Sequence, residues 1–409
     1  MLELEKLSDE VEKMARGAYE LRQESGELLD DLLQKLEAHA TAWSKIDACL
    51  RTAVRDLDPK LKWYRSARPL DAREPLNAAI DPKPVPAQAN LIASDGSQIL
   101  PSRHGAYLYS VINIGIIIYY HGRGCAPFQT TYPVIDYPNG DKEADDFVDD
   151  AAIVNIRRDL AEIETLVARA QELTEEDLPV LALLDQRLLY WPVGSGSNDE
   201  GRRVLLGWQQ AMQRARDCGC LLAGYIDRPG KRSVITMLQT LDIHKVGFEP
   251  DSLLRPAGGS ALTDVQLFRH ILKEPGQRSK VFVDISQQNE QFSAYDADNE
   301  VCFFYLNPGA AGRQLARVDI PMWVAQDPAL VDLVHSLVHN QCQIMGGYPY
   351  VLTRADELAV VGARDRESLE MMIATAMERY GFYGSVTSKQ SGKNVARAGR
   401  TRHTGVHGR

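Results

Sequence analysis

Two aspartates stand where an acid is costly. Asp95 closes the apolar run LIAS and is followed by Gly96-Ser97, and Asp185 interrupts LALLDQRLL, a run otherwise fit for the interior of a sheet. Burying a lone carboxylate is strongly unfavourable unless a cation or hydrogen-bond donors compensate. Acids at the ends of neighbouring strands build sites for hard divalent cations, because Mg²⁺ and Mn²⁺ favour oxygen ligands. Taken singly, each has a plainer reading: Asp95 opens a tight turn and Asp185 caps a strand edge. As a pair, with a glutamate-bearing helix between them, they point to a site.

That helix carries RRDLAEIETL, and both Glu162 and Glu164 are candidates for a third carboxylate. With Leu160 at zero and a turn of about 100° per residue, Glu164 lies about 80° from the centre of the apolar stripe and Glu162 about 120° away. Periodicity thus favours Glu164, leaving Glu162 to pair with Arg158 at i,i+4.

Other chemistry-bearing stretches are weaker. DRPGKRS offers Arg228, Lys231 and Arg232 on a turn before a helix, suited to phosphate contacts or simply solvated. Tyr348 and Tyr350 could stack on a base or pack internally. His335 and His339 sit at i,i+4 among Leu333, Val334, Leu337 and Val338, which reads as packing. The six cysteines include no paired zinc spacing and read as free thiols. RPGKRS lacks the spacing of a phosphate-cradling nucleotide loop, so the chain should not hydrolyse ATP itself.

The elements that must position these residues alternate strand and helix. Strands are predicted over 91–99, 107–120, 179–189, 221–226, 280–285, 301–306 and 316–324, and helices over 146–173, 233–241, 262–272, 329–345 and 366–380. The order predicts an α/β fold, a mixed sheet flanked by helices. Ahead of it, Leu4, Leu7, Val11, Met14, Ala18 and Leu21 make a heptad seam that resumes at Leu28, Leu32 and Leu36. This is either a coiled-coil-like arm reaching a second protomer or partner, or a helix packed on its own core. Three regions result: an N-terminal helical arm and linker (1–80), with DPKPVPAQ over 81–88 as its Pro-rich end, a catalytic domain (85–384) and a basic disordered tail (385–409).

The run over 107–120 is too short and too polar to cross a bilayer, and MLELEKLSDEVEK is no signal peptide, so a cytoplasmic location is expected. Net charge is −10, and without the six Lys/Arg of the segment from Lys389 to Arg409 the rest carries −16. Such a body cannot hold nucleic acid over a broad face; local basic loops, bound metal or a partner would have to do so.

The succession of strand-Asp-Gly-Ser, a long second strand, an Arg-x-x-x-Glu helix and strand-Asp, closed by GGYPYVLTRADELAVV, resembles the NurA nucleases from about Leu91 to Val361. The resemblance implies a ribonuclease H-like core and metal-dependent DNA cleavage with Mn²⁺ or Mg²⁺, two ions in all. Carried over by position, Asp95 and Asp185 match the metal-binding aspartates and Tyr348 the C-terminal tyrosine. The Arg-x-x-x-Glu spacing points to Glu162, against the periodicity, so both glutamates stand. Two positions depart from the pattern. Asp185-Gln186-Arg187 replaces a second Asp-Gly-Ser, and Asp356 stands where the family tends to have histidine; it can still ligate a metal. The resemblance also implies a homodimer working with a HerA-type hexameric DNA-translocating ATPase in DNA-end processing, repair or defence. Rivals are a catalytically weak adaptor for motor and DNA ends, an unrelated α/β hydrolase or transferase using the acids as general acid and base, which would work in EDTA, and a coiled-coil scaffold, to which the many buried-strand patterns leave little room.

Overall fold

The computed structural model describes residues 4–57, 64–102, 107–138, 151–174, 177–192, 199–249, 253, 262–309 and 314–382. The helices are α1 (Ser8–Ala38), α2 (Trp43–Leu57), α3 (Ala151–Leu173), α4 (Asp199–Asp217), α5 (Ser233–Thr240), α6 (Asp264–Phe268), α7 (Gln287–Tyr295), α8 (Met322–Ala325), α9 (Pro328–Met345), α10 (Tyr350–Ala359) and α11 (Ala363–Arg379). The strands are β1 (Ser66–Pro69), β2 (Ala89–Ile99), β3 (Ser110–His121), β4 (Phe128–Asp136), β5 (Val180–Leu184), β6 (Leu221–Ile226), β7 (Phe282–Ile285), β8 (Val301–Leu306) and β9 (Ala316–Pro321).

The nine strands among the described residues form one sheet in the order β1-β7-β8-β9-β6-β5-β2-β3-β4. The antiparallel ribbon β2-β3-β4 is followed by β5 parallel to β2 and β6 parallel to β5, the arrangement of a ribonuclease H-like core. Strands β9, β8, β7 and β1 extend that core by antiparallel pairing. A strand's side chains alternate between faces, so β2 feeds two cores. Ile92 packs with Ile156, Ile163, Val167 and Trp208 of α3 and α4, while Leu91 and Ala93 face Val351, Leu352 and Ala355 of α10.

Several sequence expectations shift. Residues 66–69 are not linker but an edge strand, and Leu32, Leu36, Ile46 and Leu50 of the N-terminal helices are buried against α5, α6 and β8. The 1–80 region is therefore largely part of the folded body. Further forward, Leu4, Leu7, Val11 and Met14 are exposed, so packing on the chain's own core accounts for the C-terminal part of the seam only. The helix expected over 262–272 is α6 alone, and the strand over 316–324 ends at Pro321, where α8 begins. Sequence reasoning missed β4, α4, α7 and α10. The expected tail over 385–409 lies outside the described residues. No described helix is long and apolar enough to cross a membrane.

Candidate active site

The parallel register of β2 and β5 decides the site. Ser94 is partnered with Leu184, so Asp95, the next residue of β2, and Asp185, the first residue beyond β5, come near enough for the Asp185 charge to act on Asp95. Asp95 does not open a turn, because β2 runs on to Ile99 paired with β3. Ligands in open α/β sheets commonly bind beyond the carboxyl ends of parallel strands, and this notch is such a place.

Alternation then assigns neighbours. Ser94 and Gly96 face α3: Ser94 Oγ donates to the Glu162 carbonyl (3.1 Å), and a Cβ on Gly96 would lie 2.6 Å from Glu162 Oε1 and 2.8 Å from Arg158 Cγ. Asp95 and Ser97 face α10, where Ser97 Oγ donates to the Ala359 carbonyl (2.5 Å). Opposite Asp95 on β3 is Gly115, whose missing side chain lets the Ala355 carbonyl and Ala359 amide approach; a Cβ would meet both at 2.7 Å. This close seating brings Asp356 of α10 within hydrogen-bonding reach of Asp95. Tyr348, just before α10, donates its hydroxyl to Asp185.

The electrostatics are those of crowded acids. Burial pushes Asp95 up to about 6, against the Gly96 amide that donates to it at 2.8 Å and with help from the charges of Asp356 and Asp185. Burial pushes Glu162 well above the usual range, opposed by the Arg158 guanidinium 3.3 Å away. Burial also raises Asp185, opposed by the Tyr348 hydroxyl and reinforced by Asp227 and Asp356.

Glu162, 5% exposed, belongs to this cluster, and Glu164 does not. Glu164 points toward α4 and pairs with Arg214 at 3.8 Å. Periodicity misjudged the pair because α3 packs on two partners: Leu160 touches Gly207 of α4, which drags the apolar stripe away from the sheet. The DRPGKRS turn is less free than it looks in sequence. Part-buried Lys231 is paired with Asp284 at 2.8 Å. Arg228 is exposed, at φ 51°, and donates to Gln314; Arg232 is half-buried, with Nε and Nη2 lacking partners. Asp227, which follows β6 as Asp185 follows β5, was missed, although the same signal of an acid closing an apolar strand marks it. His335 and His339 are buried, His335 Nε2 lying 2.6 Å from the Gly276 carbonyl. Tyr350 packs edge-on against Tyr119, with ring centroids 5.7 Å apart.

Gly96→Ala should displace the Glu162 carboxyl at a stability cost of about 1–3 kcal/mol, the usual range for overpacking. Urea unfolding together with cleavage assays would show activity falling further than stability; wild-type activity would contradict the close approach.

The strand order, with acids gathered at the ends of its two central parallel strands, is that of a ribonuclease H-like nuclease. A family model described as the NurA domain matches residues 89–361, and the chain belongs to the NurA family. Among solved structures it is similar to the NurA nuclease from Sulfolobus solfataricus, at 14% identity and a TM-score of 0.45, covering 82% of this chain and 94% of that one. It is also similar to the catalytic domain of human Endonuclease V, at 10% identity and a TM-score of 0.33, covering 72% and 91%. No curated protein matches the chain.

Proposed function

We propose that this nuclease hydrolyses DNA phosphodiester bonds with Mn²⁺ or Mg²⁺ held by Asp95, Asp185, Glu162 and Asp356, and that it works as a homodimer with a HerA-type hexameric ATPase at DNA ends, in the cytoplasm. The observation that carries the reading is the gathering of Asp95 and Asp185 where β5 ends, with Asp356 in hydrogen-bonding reach of Asp95 and buried Glu162 near enough for their charges to act on it. The donor set is all oxygen and short of counter-charge, which suits hard divalent cations. Among the described residues no three His, Cys, Asp or Glu side chains already form a metal cage; mutually repelling carboxylates have no reason to close up without a cation. When bound, such ions supply a low-pKa water and neutralise charge on the phosphate.

The chain's own residues do the rest. Asp95 is fixed by its strand and Asp185 by the loop that leaves β5, and the Tyr348 hydroxyl orients the Asp185 carboxylate. Arg158, held by Gln98 (3.0 Å) and Asp159, faces Glu162 and lies close enough to the notch to steady a phosphate. Exposed Arg228 is the part of the basic turn left to contact the DNA backbone. Activity on end-labelled DNA that vanishes in EDTA and returns with Mn²⁺ is the expected result. Undiminished cleavage in EDTA would mean general acid–base hydrolysis, and none under any condition would favour the adaptor role.

A pH dependence follows. The folded value of Asp95, about 6, lies above its unfolded value near 4, so the folded chain holds this proton more tightly. Its contribution to metal-free stability is therefore present below about pH 4 and is lost as pH rises through about 6; Glu162 and Asp185 act in the same direction. A bound cation favours the ionised acids, so the rise in Tm on adding Mn²⁺ should be larger near pH 8 than near pH 5. Calorimetry finding equal rises at both would contradict this.

A further inference from the structure

We infer that Gln186 is a positioning residue that presets Glu162 for the cation; the inference rests on the metal-dependent reading above. Where Asp95 is followed by a glycine, Asp185 is followed by Gln186, and the difference has a structural use. Gln186 Nε2 donates to Glu162 Oε2 at 2.7 Å, while Oε1 lies over Gly96 beside the notch, 3.3 Å from Arg158 Nε. A carboxylate can only accept, so the amide nitrogen must be the group that faces it. Arg158 also reaches Glu162, but at 3.3 Å, and its guanidinium is shared with Asp159 and Gln98.

Gln186 is itself held firmly. Its carbonyl abuts Gly224 of β6, where a Cβ would stand 2.3 Å away. Two residues on, the Leu188 amide donates to the buried Asp319 carboxylate at 3.3 Å, and Trp208 Nε1 donates to the Leu188 carbonyl at 3.0 Å. The loop after β5 thus carries Asp185 on one residue and the donor that aims Glu162 on the next, both fixed to β6, β9 and α4. A neutral amide suits the task. It orients one oxygen of a buried carboxylate without adding positive charge that would compete with the ion, as outer-layer partners of metal ligands do.

The test uses full-length protein without DNA, titrated with Mn²⁺ alone by calorimetry. Gln186→Met, which keeps the length and removes the donor, should bind Mn²⁺ about 10–100-fold more weakly than wild type. Its thermal unfolding in EDTA should stay within about 1 °C, under the roughly 1–2 °C shift that a 1–2 kcal/mol loss gives in a chain of this size. On DNA the loss should fall on kcat at fixed Mn²⁺, with KM little changed. Gln186→Ala should behave alike. Mn²⁺ affinity equal to wild type, or a large fall in Tm with affinity retained, would overturn the inference. Wild-type protein that binds no Mn²⁺ would instead overturn the metal-dependent reading beneath it.

Discussion

Asp185→Asn should lower DNA cleavage at least about a hundredfold, the upper end of what loss of a mere outer-layer partner of a metal site costs. The substitution keeps shape, and the Tyr348 hydroxyl still finds an oxygen to donate to, so the loop should not move. What it removes is one of the charges gathered where β5 ends beside β2. Asp95→Asn should do the same to activity with a different signature in stability. Asp95 is crowded by burial and by the Asp356 and Asp185 carboxylates, so near pH 8 in EDTA its neutral replacement should unfold no earlier than wild type. The double variant should be scarcely worse than either single one, because residues acting as a unit are not additive. Cleavage by Asp185→Asn within threefold of wild type, on the same labelled substrate, would remove the carboxylate site from the account.

Arg317→Met should destabilise the fold by about 3–5 kcal/mol, the range for leaving a buried ion unpaired. Arg317 is 1% exposed; its Nε donates to Asp319 at 2.6 Å, its Nη2 to Asp284 at 3.1 Å, and its guanidinium lies 3.8 Å from the Phe303 ring centroid. Asp284 also takes Lys231 at 2.8 Å, so two cations and two acids neutralise one another inside the protein. Burial alone would raise the Asp284 carboxyl, but Lys231 and Arg317 prevail and hold it near 2. A depressed carboxylate contributes stability above its unfolded value near 4 and loses it as pH falls toward 2. Removing Arg317 strips that support and leaves Asp319 with the Leu188 amide. Urea unfolding near pH 7 should show the loss, and a change under 1 kcal/mol would mean the network relaxes without it. Some activity should go as well, since Asp319 steadies the loop that bears Asp185 and Gln186.

Both effects separate what was legible from what was not. The α/β alternation, the long second strand and the two acids in apolar runs are local patterns, because an acid inside a strand is anomalous whatever surrounds it. The sequence alone therefore determined the class of fold, the family resemblance and the two central aspartates. It could not choose between Glu162 and Glu164, since a helical wheel presumes one buried face and α3 has two, one on the sheet and one on α4. Nor could it see that Lys231 is consumed by Asp284, because a basic turn looks the same whether its partner is a phosphate or a carboxylate some fifty residues away in the chain. Asp356 and Gln186 read as departures from a pattern until β-register and the two glycines, Gly96 and Gly115, brought them against Asp95 and Glu162. Which side chains meet is set by strand register and helix seating, and these depend on contacts far apart in sequence that no local pattern encodes.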